Sequence, residues 1–355
     1  MTSTTRRVMT MTIVAATLVT CAADGDIAYA GGQRREGLGA RAGFAEGFGF
    51  LYRSDEKLAR ELDGIAATGA RWLRVDVPWS VIEETRGQRD WSRVDHVIDE
   101  ARNRGLKILG VLAFTPKWAR PAGTTDKHPP THLTRFAEFA RAAVNRYAKR
   151  GVHAWEIWNE PNLSLFWEPQ PNPKRFAALL EAAAPAIRRA DRRATIVTGG
   201  LSPASDSADG SEIAPATFLE RVYAAGAQDS FDAVGHHPSN YPLLPLREEA
   251  DFNANAFAGV TPRLFQVMTE HGDAKKKIWG TEIGAPTDKE STPTYVARYL
   301  TQAYTAWVGW SFTGPLLWYS YLDAGRGKSF LDHFGLVKPS FEPKQPALKA
   351  FIRLM

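Results

Sequence analysis

The feature of this sequence that most limits its fold is a regular alternation of short apolar runs with longer amphipathic segments. Eight runs have the length and apolar character of buried strands. They are Gly47–Leu51, Trp72–Val77, Lys107–Ala113, His153–Trp158, Thr195–Gly199, Ala233–His236, Lys277–Glu282 and Pro315–Tyr319. Between them apolar residues recur at helical spacing, as Leu58, Leu62 and Ile65 do. The predicted helices are Asp55–Thr68, Trp91–Arg104, Leu133–Lys149, Pro173–Ala190, Pro215–Ala225, Pro262–His271, Pro293–Trp310 and Pro343–Leu354.

This alternation predicts parallel strands joined by helical crossovers, and eight such units predict closure into one α/β domain, a (β/α)₈ TIM barrel. No Pro/Ser-rich linker interrupts the pattern, so we expect one barrel over residues 44–355, after a flexible segment at 31–43. The structural alternative is a doubly wound open sheet. Its dinucleotide fingerprint needs glycines between a strand and a helix, whereas Gly37, Gly39 and Gly43 precede the first predicted strand.

The N-terminus has the pattern of an export signal. Arg6-Arg7 precede the apolar stretch Val8–Val19, and Ala28-Tyr29-Ala30 forms an A-x-A cleavage site. The apolar stretch is too short to span a membrane. We therefore expect a signal peptide at residues 1–30 and a protein that is secreted or associated with the cell envelope. Cys21, the one cysteine, follows Thr20 rather than the small residue of a lipoprotein box, so lipid anchoring is the less favoured alternative.

Charge and aromatic content narrow the class of ligand. The net charge of +5 is spread along the chain, and its densest runs fall at predicted helix ends, where they complement the helix dipole. That placement disfavours a nucleic-acid site and leaves an acidic polymer open. The chain also has 11 tryptophans, a residue type that suits sugar binding because its flat face packs on a pyranose ring.

The residues that can carry chemistry fall at the ends of the predicted strands. Trp158-Asn159-Glu160-Pro161 follows the fourth run, and Glu282 ends the seventh. Paired glutamates are what cleavage of a glycosidic bond needs, since one carboxyl serves as acid/base and the other as nucleophile. A (β/α)₈ barrel gathers its active site at the carboxyl ends of its strands. Those ends carry Trp79, Trp118, Asn159, Glu160, His236, His237, Glu282, Trp318 and Tyr319, with Arg74 and Asp76 inside the second strand.

Five motifs then give the chain a resemblance to a known superfamily. They are "WEIWNEPN" on the fourth strand, "IWGTEIG" on the seventh, "TPKWA" after the third, "FDAVGHHP" at the sixth and "LLWYS" at the eighth. With them the chain resembles the clan A (β/α)₈ retaining glycoside hydrolases, of the family 39 and family 5 type, over about residues 44–354. The resemblance implies that Glu160 is the general acid/base and Glu282 the nucleophile.

The resemblance also implies roles for the substrate-binding residues. Asn159 is expected to bind the sugar 2-hydroxyl, Arg74 to orient Glu282, and His237 to lie on the nucleophile side. Ser239 occupies the position of the family's tyrosine, so Tyr241 is the proposed substitute. Trp318 resembles the sugar platform of the eighth strand. The strand-end residues Trp79 and Trp118 complete the predicted binding set.

An acid catalyst must keep its proton near neutral pH, so we expect Trp158 and Pro161 to give Glu160 apolar surroundings. The charge of Glu282 is expected to raise the pKa of Glu160 further.

Several residues have a structural interpretation that we prefer. Glu156 is expected to be a buried partner of an arginine, and Asp76 and Glu83 to form caps or salt bridges rather than to touch substrate. Four tryptophans are expected in the core: Trp72, Trp155, Trp279 and Trp310. Phe166 and Trp167, on the loop after Glu160, remain equally suited to the core and to a sugar subsite. Neighbouring His236 and His237 point to opposite faces of a strand, so neither a metal nor another cofactor is expected.

The sequence thus predicts a secreted, monomeric, retaining β-glycoside hydrolase that cleaves an oligo- or polysaccharide, with an endo-acting mode preferred. No protein partner and no nucleic acid are expected. The alternatives are an exo-acting, xylosidase-like β-glycosidase, a non-catalytic carbohydrate-binding protein and a metal-dependent hydrolase. The absence of GxSxG and P-loop motifs counts against esterases and NTPases.

Overall fold

A computed structural model describes residues 38–246, 256–288, 291–325, 327 and 329–355. The predicted signal peptide with Cys21, and residues 31–37 of the predicted flexible segment, lie outside the described residues. None of the helices in these ranges combines the length and the apolar character that crossing a membrane requires.

Eight parallel strands close into a barrel, and each strand pairs with the next along the chain until the eighth pairs with the first. The strands are β1 (Ala42–Ala45), β2 (Trp72–Pro78), β3 (Lys107–Ala113), β4 (Ala154–Asn159), β5 (Thr195–Gly200), β6 (Ala233–His236), β7 (Lys277–Ile283) and β8 (Thr313–Trp318). This order confirms the predicted (β/α)₈ barrel.

Helices connect the strands and cover the barrel. They are α1 (Asp55–Ala67), the short α2 (Trp79–Ile82), α3 (Ser92–Asn103), α4 (Leu133–Ala148), α5 (Pro173–Ala190), α6 (Pro215–Ala224), α7 (Thr261–Glu270), α8 (Pro293–Gly309) and α9 (Ala347–Leu354). The 3₁₀ and π turns are Leu38–Arg41, Phe48–Tyr52, Lys117–Ala119, Ala227–Ser230, Ala256–Val260 and Phe330–His333. Three helices begin at a side-chain cap. The side chains of Ser54, Asn172 and Thr292 accept a backbone hydrogen bond from the first turn of α1, α5 and α8, respectively.

The first predicted strand is wrong. Gly47–Leu51 is not extended but contributes to the 3₁₀ helix Phe48–Tyr52, and the strand is the preceding Ala42–Ala45. The predicted domain start at residue 44 therefore falls inside β1. β1 is only four residues long, and at its second position a Cβ on Gly43 would lie 2.3 Å from the Trp72 carbonyl oxygen. A run that is so short and interrupted by glycine carries little apolar signal.

Two hydrophobic clusters fill the domain. A small cluster combines Ala45, Leu109, Ala154, Val197, Ala233, Trp279 and Leu317 from seven different strands, as expected of the barrel interior. The large cluster packs strands against helices and contains Trp155, Trp158, Trp307 and Trp318. Of the four tryptophans predicted to be core, Trp155 belongs to the large cluster and Trp310 packs against it. Trp279 belongs to the small cluster, and Trp72 packs edge-on against it at 5.2 Å.

Candidate active site

A cavity of about 320 Å³ opens among the carboxyl ends of the strands. Its lining combines charged, amide and aromatic side chains. They are Gly47, Phe48, Arg74, Asp76, Phe114, Asp126, Lys127, Asn159, Glu160, Phe166, Glu282 and Tyr319. The cavity thus brings together four of the residues predicted from the sequence: Arg74, Asn159, Glu160 and Glu282.

The backbone at the end of β4 turns sharply to place Glu160 in this cavity. Trp158 and Glu160 have φ of 73° and 44°, in the left-handed region that non-glycine residues rarely occupy. The Glu160 amide donates to the Gly200 carbonyl at 3.1 Å, and the Trp158 indole donates to the Phe166 carbonyl at 2.7 Å. Trp158 is therefore fully buried beside the loop that follows β4, while Glu160 faces the cavity. Strained backbone of this kind clusters at functional sites.

Arg74 holds three partners from two other strands. Its Nε donates to Glu156 at 2.6 Å, its Nη2 donates to the Asn159 amide oxygen at 2.7 Å, and its Nη1 donates to Glu282. The guanidinium is 3% exposed, and the carboxylates on both sides raise its pKa despite its burial, so it stays cationic. Because the Asn159 oxygen is occupied, its amide NH₂ is left to donate to a substrate.

Glu156 supports this arrangement from below. It is fully buried, and its second oxygen accepts from the Gly200 amide at 2.7 Å and from the Thr281 hydroxyl at 3.0 Å. With Arg74 on the other oxygen, the carboxylate has no exposed atom to offer a substrate. Glu156 is the buried arginine partner that the sequence indicated.

His237 lies between the two cavity carboxylates. Its Nδ1 is 2.8 Å from Glu160 Oε1, and its Nε2 is 3.9 Å from Glu282 Oε1. The closer contact is with Glu160, whereas the resemblance implied a position on the nucleophile side. His236 points elsewhere, toward the carbonyl oxygens of Leu201 and Ala256. Across the described ranges, no group of three or more His, Cys, Asp or Glu side chains could hold a metal ion.

The protonation of the Glu160–His237 pair differs from our expectation. Burial disfavours the charged carboxylate, but the hydrogen bond and charge of His237 outweigh it and, with Ser202 and Arg74, hold the pKa of Glu160 below its usual range. Burial likewise disfavours a charged imidazole, yet Glu282 and Glu160 raise the pKa of His237. Both shifts favour the proton of this pair on His237 rather than on Glu160. Trp158, which was expected to surround Glu160 with apolar atoms, faces the core instead.

Trp318 is not a sugar platform. It is fully buried, outside the cavity lining, and packs edge-on against Tyr299 of α8 at 6.1 Å. Tyr319, the next residue, lines the cavity instead. Neighbouring strand residues point to opposite faces, and here Leu317 and Tyr319 share the inner face while Trp318 takes the outer one. The sequence placed Tyr319 at the strand end but gave it no role.

Trp79 and Trp118 also lie outside the cavity. Trp79 is fully buried, stacks on Phe139 and donates to Glu83 at 3.0 Å. Trp118 is half-buried, and its indole donates to the Glu83 carbonyl oxygen at 2.7 Å. The chain folds straight into α2 after β2, which directs Trp79 into the helix layer. Glu83 also pairs with Arg89, in the salt-bridge role that was expected of it.

Tyr241 does not reach Glu282. Its hydroxyl donates to Asp288 at 2.7 Å, and its ring packs edge-on against Tyr295 of α8. The preceding Asn240 is buried, and its backbone N–H donates to the Tyr299 hydroxyl at 2.8 Å, so the turn after β6 carries Tyr241 toward α8. A tyrosine does stand in the cavity, but β8 supplies it as Tyr319.

The cavity also includes residues that sequence reasoning missed or assigned otherwise. Phe166 lines it, whereas Trp167 is buried against Trp158. Asp76 faces the cavity instead of forming a cap, and burial raises its pKa to about 6, with Glu282 and Glu156 adding to the rise and Arg74 opposing it. Phe48, Phe114, Asp126 and Lys127 come from connecting loops. Loop residues carry no periodic signal, and only the folded chain shows which of them turn inward.

The family comparison is decisive. The family model for cellulase (glycosyl hydrolase family 5) matches residues 46–314, which is most of the chain. The chain belongs to this family. It is therefore a glycoside hydrolase of the clan A type, and the family 5 domain covers the barrel from the end of β1 into β8. No curated protein sequence matches the chain.

Solved structures share this fold. A family 39 glycoside hydrolase from the gut symbiont Bacteroides cellulosilyticus WH2 superimposes with a TM-score of 0.72 at 23% identity, covering 88% of this chain and 63% of that one. A monomeric β-xylosidase from Caulobacter crescentus CB15 gives 0.69 at 19% identity, covering 88% and 67%. An exo-β-1,4-mannosidase from Opitutaceae bacterium strain TAV5 gives 0.64 at 18%, covering 88% and 58%. The chain thus spans about two thirds or less of these three relatives.

Proposed function

We propose that this family 5 hydrolase cleaves β-glycosidic bonds with retention, by double displacement. The observation that carries the proposal is one cavity with two carboxylates in different chemical settings. Glu282 is hydrogen-bonded to the permanently charged Arg74, whereas Glu160 contacts the titratable His237. A retaining enzyme needs one carboxylate that is always ready to attack and another that exchanges a proton.

In the first step, Glu282 attacks the anomeric carbon and forms a glycosyl–enzyme ester while Glu160 protonates the departing oxygen. The proton comes from the Glu160–His237 pair, which holds one proton in the empty site. A bound sugar oxygen beside Glu160 stabilises the protonated carboxyl, and the proton then passes from His237 Nδ1 to Glu160 Oε1. In the second step, Glu160 removes a proton from water, which attacks the ester and frees Glu282.

Asn159 and Arg74 act on the reacting sugar together. The Asn159 amide is fixed by Arg74, so its NH₂ is pre-oriented to donate to the 2-hydroxyl, a contact that strengthens in the transition state. Phe166 and Tyr319 supply aromatic surface at the cavity wall.

Replacement of each glutamate tests the proposal. Glu282→Ala should abolish turnover, because no ester can form. Glu160→Ala should slow substrates with poor leaving groups far more than activated aryl glycosides, and azide should restore the latter, giving a β-glycosyl azide. Wild-type turnover of a glycan by either variant would refute the assignment. Binding of glycans without turnover by the native enzyme would instead indicate a non-catalytic carbohydrate-binding protein.

For the mode of action, we propose endo-cleavage of a polysaccharide by a secreted monomer, supported by the long connections after β4, β5 and β6 and by the export pattern at residues 1–30. The exo-acting alternative has one observation in its favour: a cavity of about 320 Å³ is near the lower limit for ligand pockets. A time course of product lengths separates the two, since endo-cleavage releases mixed oligosaccharides and exo-cleavage releases one short product. Detection of the mature protein outside the cytoplasm tests the localisation.

A further inference from the structure

A second cavity, of about 290 Å³, shares the connection from β3 to α4 with the active-site cavity, and three arginines contribute to its lining. Its lining is Arg86, Trp118, Ala119, Arg120, Thr131, His132 and Arg135. No residue of this group lines the active-site cavity. Three arginines at one depression repel one another, and a bound anion would relieve that repulsion.

Carboxylates compensate this cavity only in part. Among the ion pairs of the residues that the structure describes, none includes Arg86 or Arg120. Glu168 is the carboxylate that interacts with Arg120 at longer range, and it is already hydrogen-bonded to the Thr125 amide at 2.9 Å and to the Thr125 hydroxyl at 2.6 Å. Arg135 pairs with Glu138 at 2.9 Å, but both side chains are well exposed, so solvent screens that pair. The nearby Glu83 is buried and saturated by Trp79, Gly87 and Arg89.

The arginines are held in place by contacts that leave their charge unused. The Arg86 guanidinium lies over the Trp118 ring, 5.8 Å from its centre, and the Trp118 indole is anchored on the Glu83 carbonyl oxygen at 2.7 Å. Arg120 donates from Nε to the Thr115 carbonyl oxygen at 3.1 Å. Guanidinium groups fixed in this way retain further N–H donors for an anion.

The same loop forms a wall of both cavities. It joins β3 to α4, and Phe114, Asp126 and Lys127 face the active site while Trp118 and Arg120 face the second cavity. Both cavities therefore open at the carboxyl ends of the strands. A chain of sugars that extended from the active site across this loop would meet the arginines.

We propose that the second cavity is a distal subsite for an anionic substituent on the polysaccharide being cleaved. The inference rests on the proposed glycoside hydrolase function and adds the substrate class, a polysaccharide carrying carboxylate or sulfate groups. Trp118 orients Arg86, and Arg86 and Arg120 bind the anion.

The test measures binding with turnover blocked by Glu282→Gln, using matched pairs of charged and neutral glycans. Carboxymethylcellulose and hydroxyethylcellulose form the carboxylate pair, and cellulose sulfate and methylcellulose form the sulfate pair, so that all four probes are β-linked. We expect the charged member of at least one pair to bind about tenfold more tightly, and Arg86→Gln with Arg120→Gln to remove that advantage. Whichever pair shows it identifies the anionic group.

The controls separate this site from general charge. Arg263→Gln, which removes an exposed arginine from α7, should leave the dissociation constants within about twofold. Arg86→Lys keeps the charge and should retain part of the preference. Since Arg120 also holds its loop, Arg86→Gln alone serves if the double variant does not fold. Equal binding of charged and neutral glycans, or an unaltered preference in the arginine variants, overturns the proposal. Equally tight binding of polyglutamate or duplex DNA overturns it as well.

Activity on small substrates keeps this inference apart from the proposed function. An activated aryl glycoside occupies the active-site cavity only, so the arginine variants should cleave it at the wild-type rate. If the native enzyme cleaves no glycoside, the proposed function fails. If the native enzyme cleaves glycosides but binds charged and neutral glycans equally, only the proposal of a distal subsite fails.

Discussion

The two sides of the active-site cavity hold their carboxylates by opposite means. On the β7 side, Glu282 is bound by Arg74, a buried cation that never releases its proton. On the β4 side, Glu160 is bound by His237, whose proton is exchangeable near neutral pH. The backbone differs as well, since Glu282 sits in a strand and Glu160 in a left-handed turn. Glu282, the proposed nucleophile, thus lies beside a fixed cation, while Glu160, the proposed acid/base, lies within reach of a movable proton.

Removing the fixed cation should have the largest effect. Arg74→Met leaves Glu156 buried without its cation and frees both Glu282 and Asn159. Breaking a buried ion pair costs about 3–5 kcal/mol of unfolding free energy. We expect that loss together with a fall in kcat/KM of roughly 1,000-fold, because positioning and charge are lost at once. Denaturant unfolding and aryl glycoside kinetics measure the two effects.

Arg74→Lys is the matched control, since it keeps the charge but cannot donate to three partners. It should recover part of the stability and less of the activity. Full activity in Arg74→Met would show that Glu282 needs no cation and would end the distinction between the two sides.

Replacing His237 should change the pH profile more than the maximal rate. In the native enzyme the Glu160–His237 pair loses its proton as the pH rises through the raised pKa of His237. Without that proton the pair can no longer act as the acid catalyst. In His237→Asn only Glu160 carries the proton, and an ordinary carboxyl titrates near 4.3. We expect the basic limb of kcat/KM for a poor leaving group to move down by about two pH units, because the usual pKa values of histidine and glutamate differ by about that much. The rate at the optimum should fall about 10- to 100-fold.

An activated aryl glycoside is the internal control for this variant, because its departure needs little protonation. Its glycosylation rate should hardly change. A basic limb that stays in place, or moves upward, would mean that His237 does not supply the proton.

The sequence predicted the fold well and the cavity only in part. Periodicity and strand–helix alternation located seven of the eight strands, and failed at Ala42–Ala45, where four residues interrupted by Gly43 are too short a run to give a clear apolar signal. Residues fixed by strand geometry, such as Arg74 and Glu282, were placed correctly. At the end of β8 the sequence predicted that Trp318 faces the cavity, whereas Tyr319 does. The two residues are adjacent, so an error of one position places the wrong side chain in the cavity. Loop residues such as Lys127 could not be predicted, since their positions depend on the whole fold.

Gly200 lies beside His237, and replacing it should change the pH profile as His237→Asn does, but by less. A Cβ at this position would lie 2.2 Å from His237 Nε2 and 2.6 Å from the Thr281 hydroxyl. In Gly200→Ala the imidazole must shift, which disturbs its contact with Glu160, so the basic limb should move in the same direction as in His237→Asn, by less. We expect a loss of about 1–3 kcal/mol in unfolding free energy from the crowding. Gly49→Ala is the matched control, because a Cβ at Gly49 would have no atom within 4 Å. Gly210, on the loop after β5, is unsuitable because its φ is positive and alanine would be strained there. If Gly200→Ala folds and keeps the wild-type pH profile, His237 does not determine the basic limb.

The smallest effect should come from the two tyrosines, which sharpen the comparison because only one faces the cavity. Tyr319 lines it, and burial together with the charge of Glu282 raises its pKa, so its hydroxyl stays protonated as a donor. Removing one neutral hydrogen bond costs about 1 kcal/mol, so Tyr319→Phe should lower kcat/KM about fivefold. Tyr241→Phe, which removes the hydroxyl bonded to Asp288, should stay within twofold. The reverse order in the kinetics of the two variants would restore Tyr241 as the tyrosine of the nucleophile side and assign Tyr319 to packing.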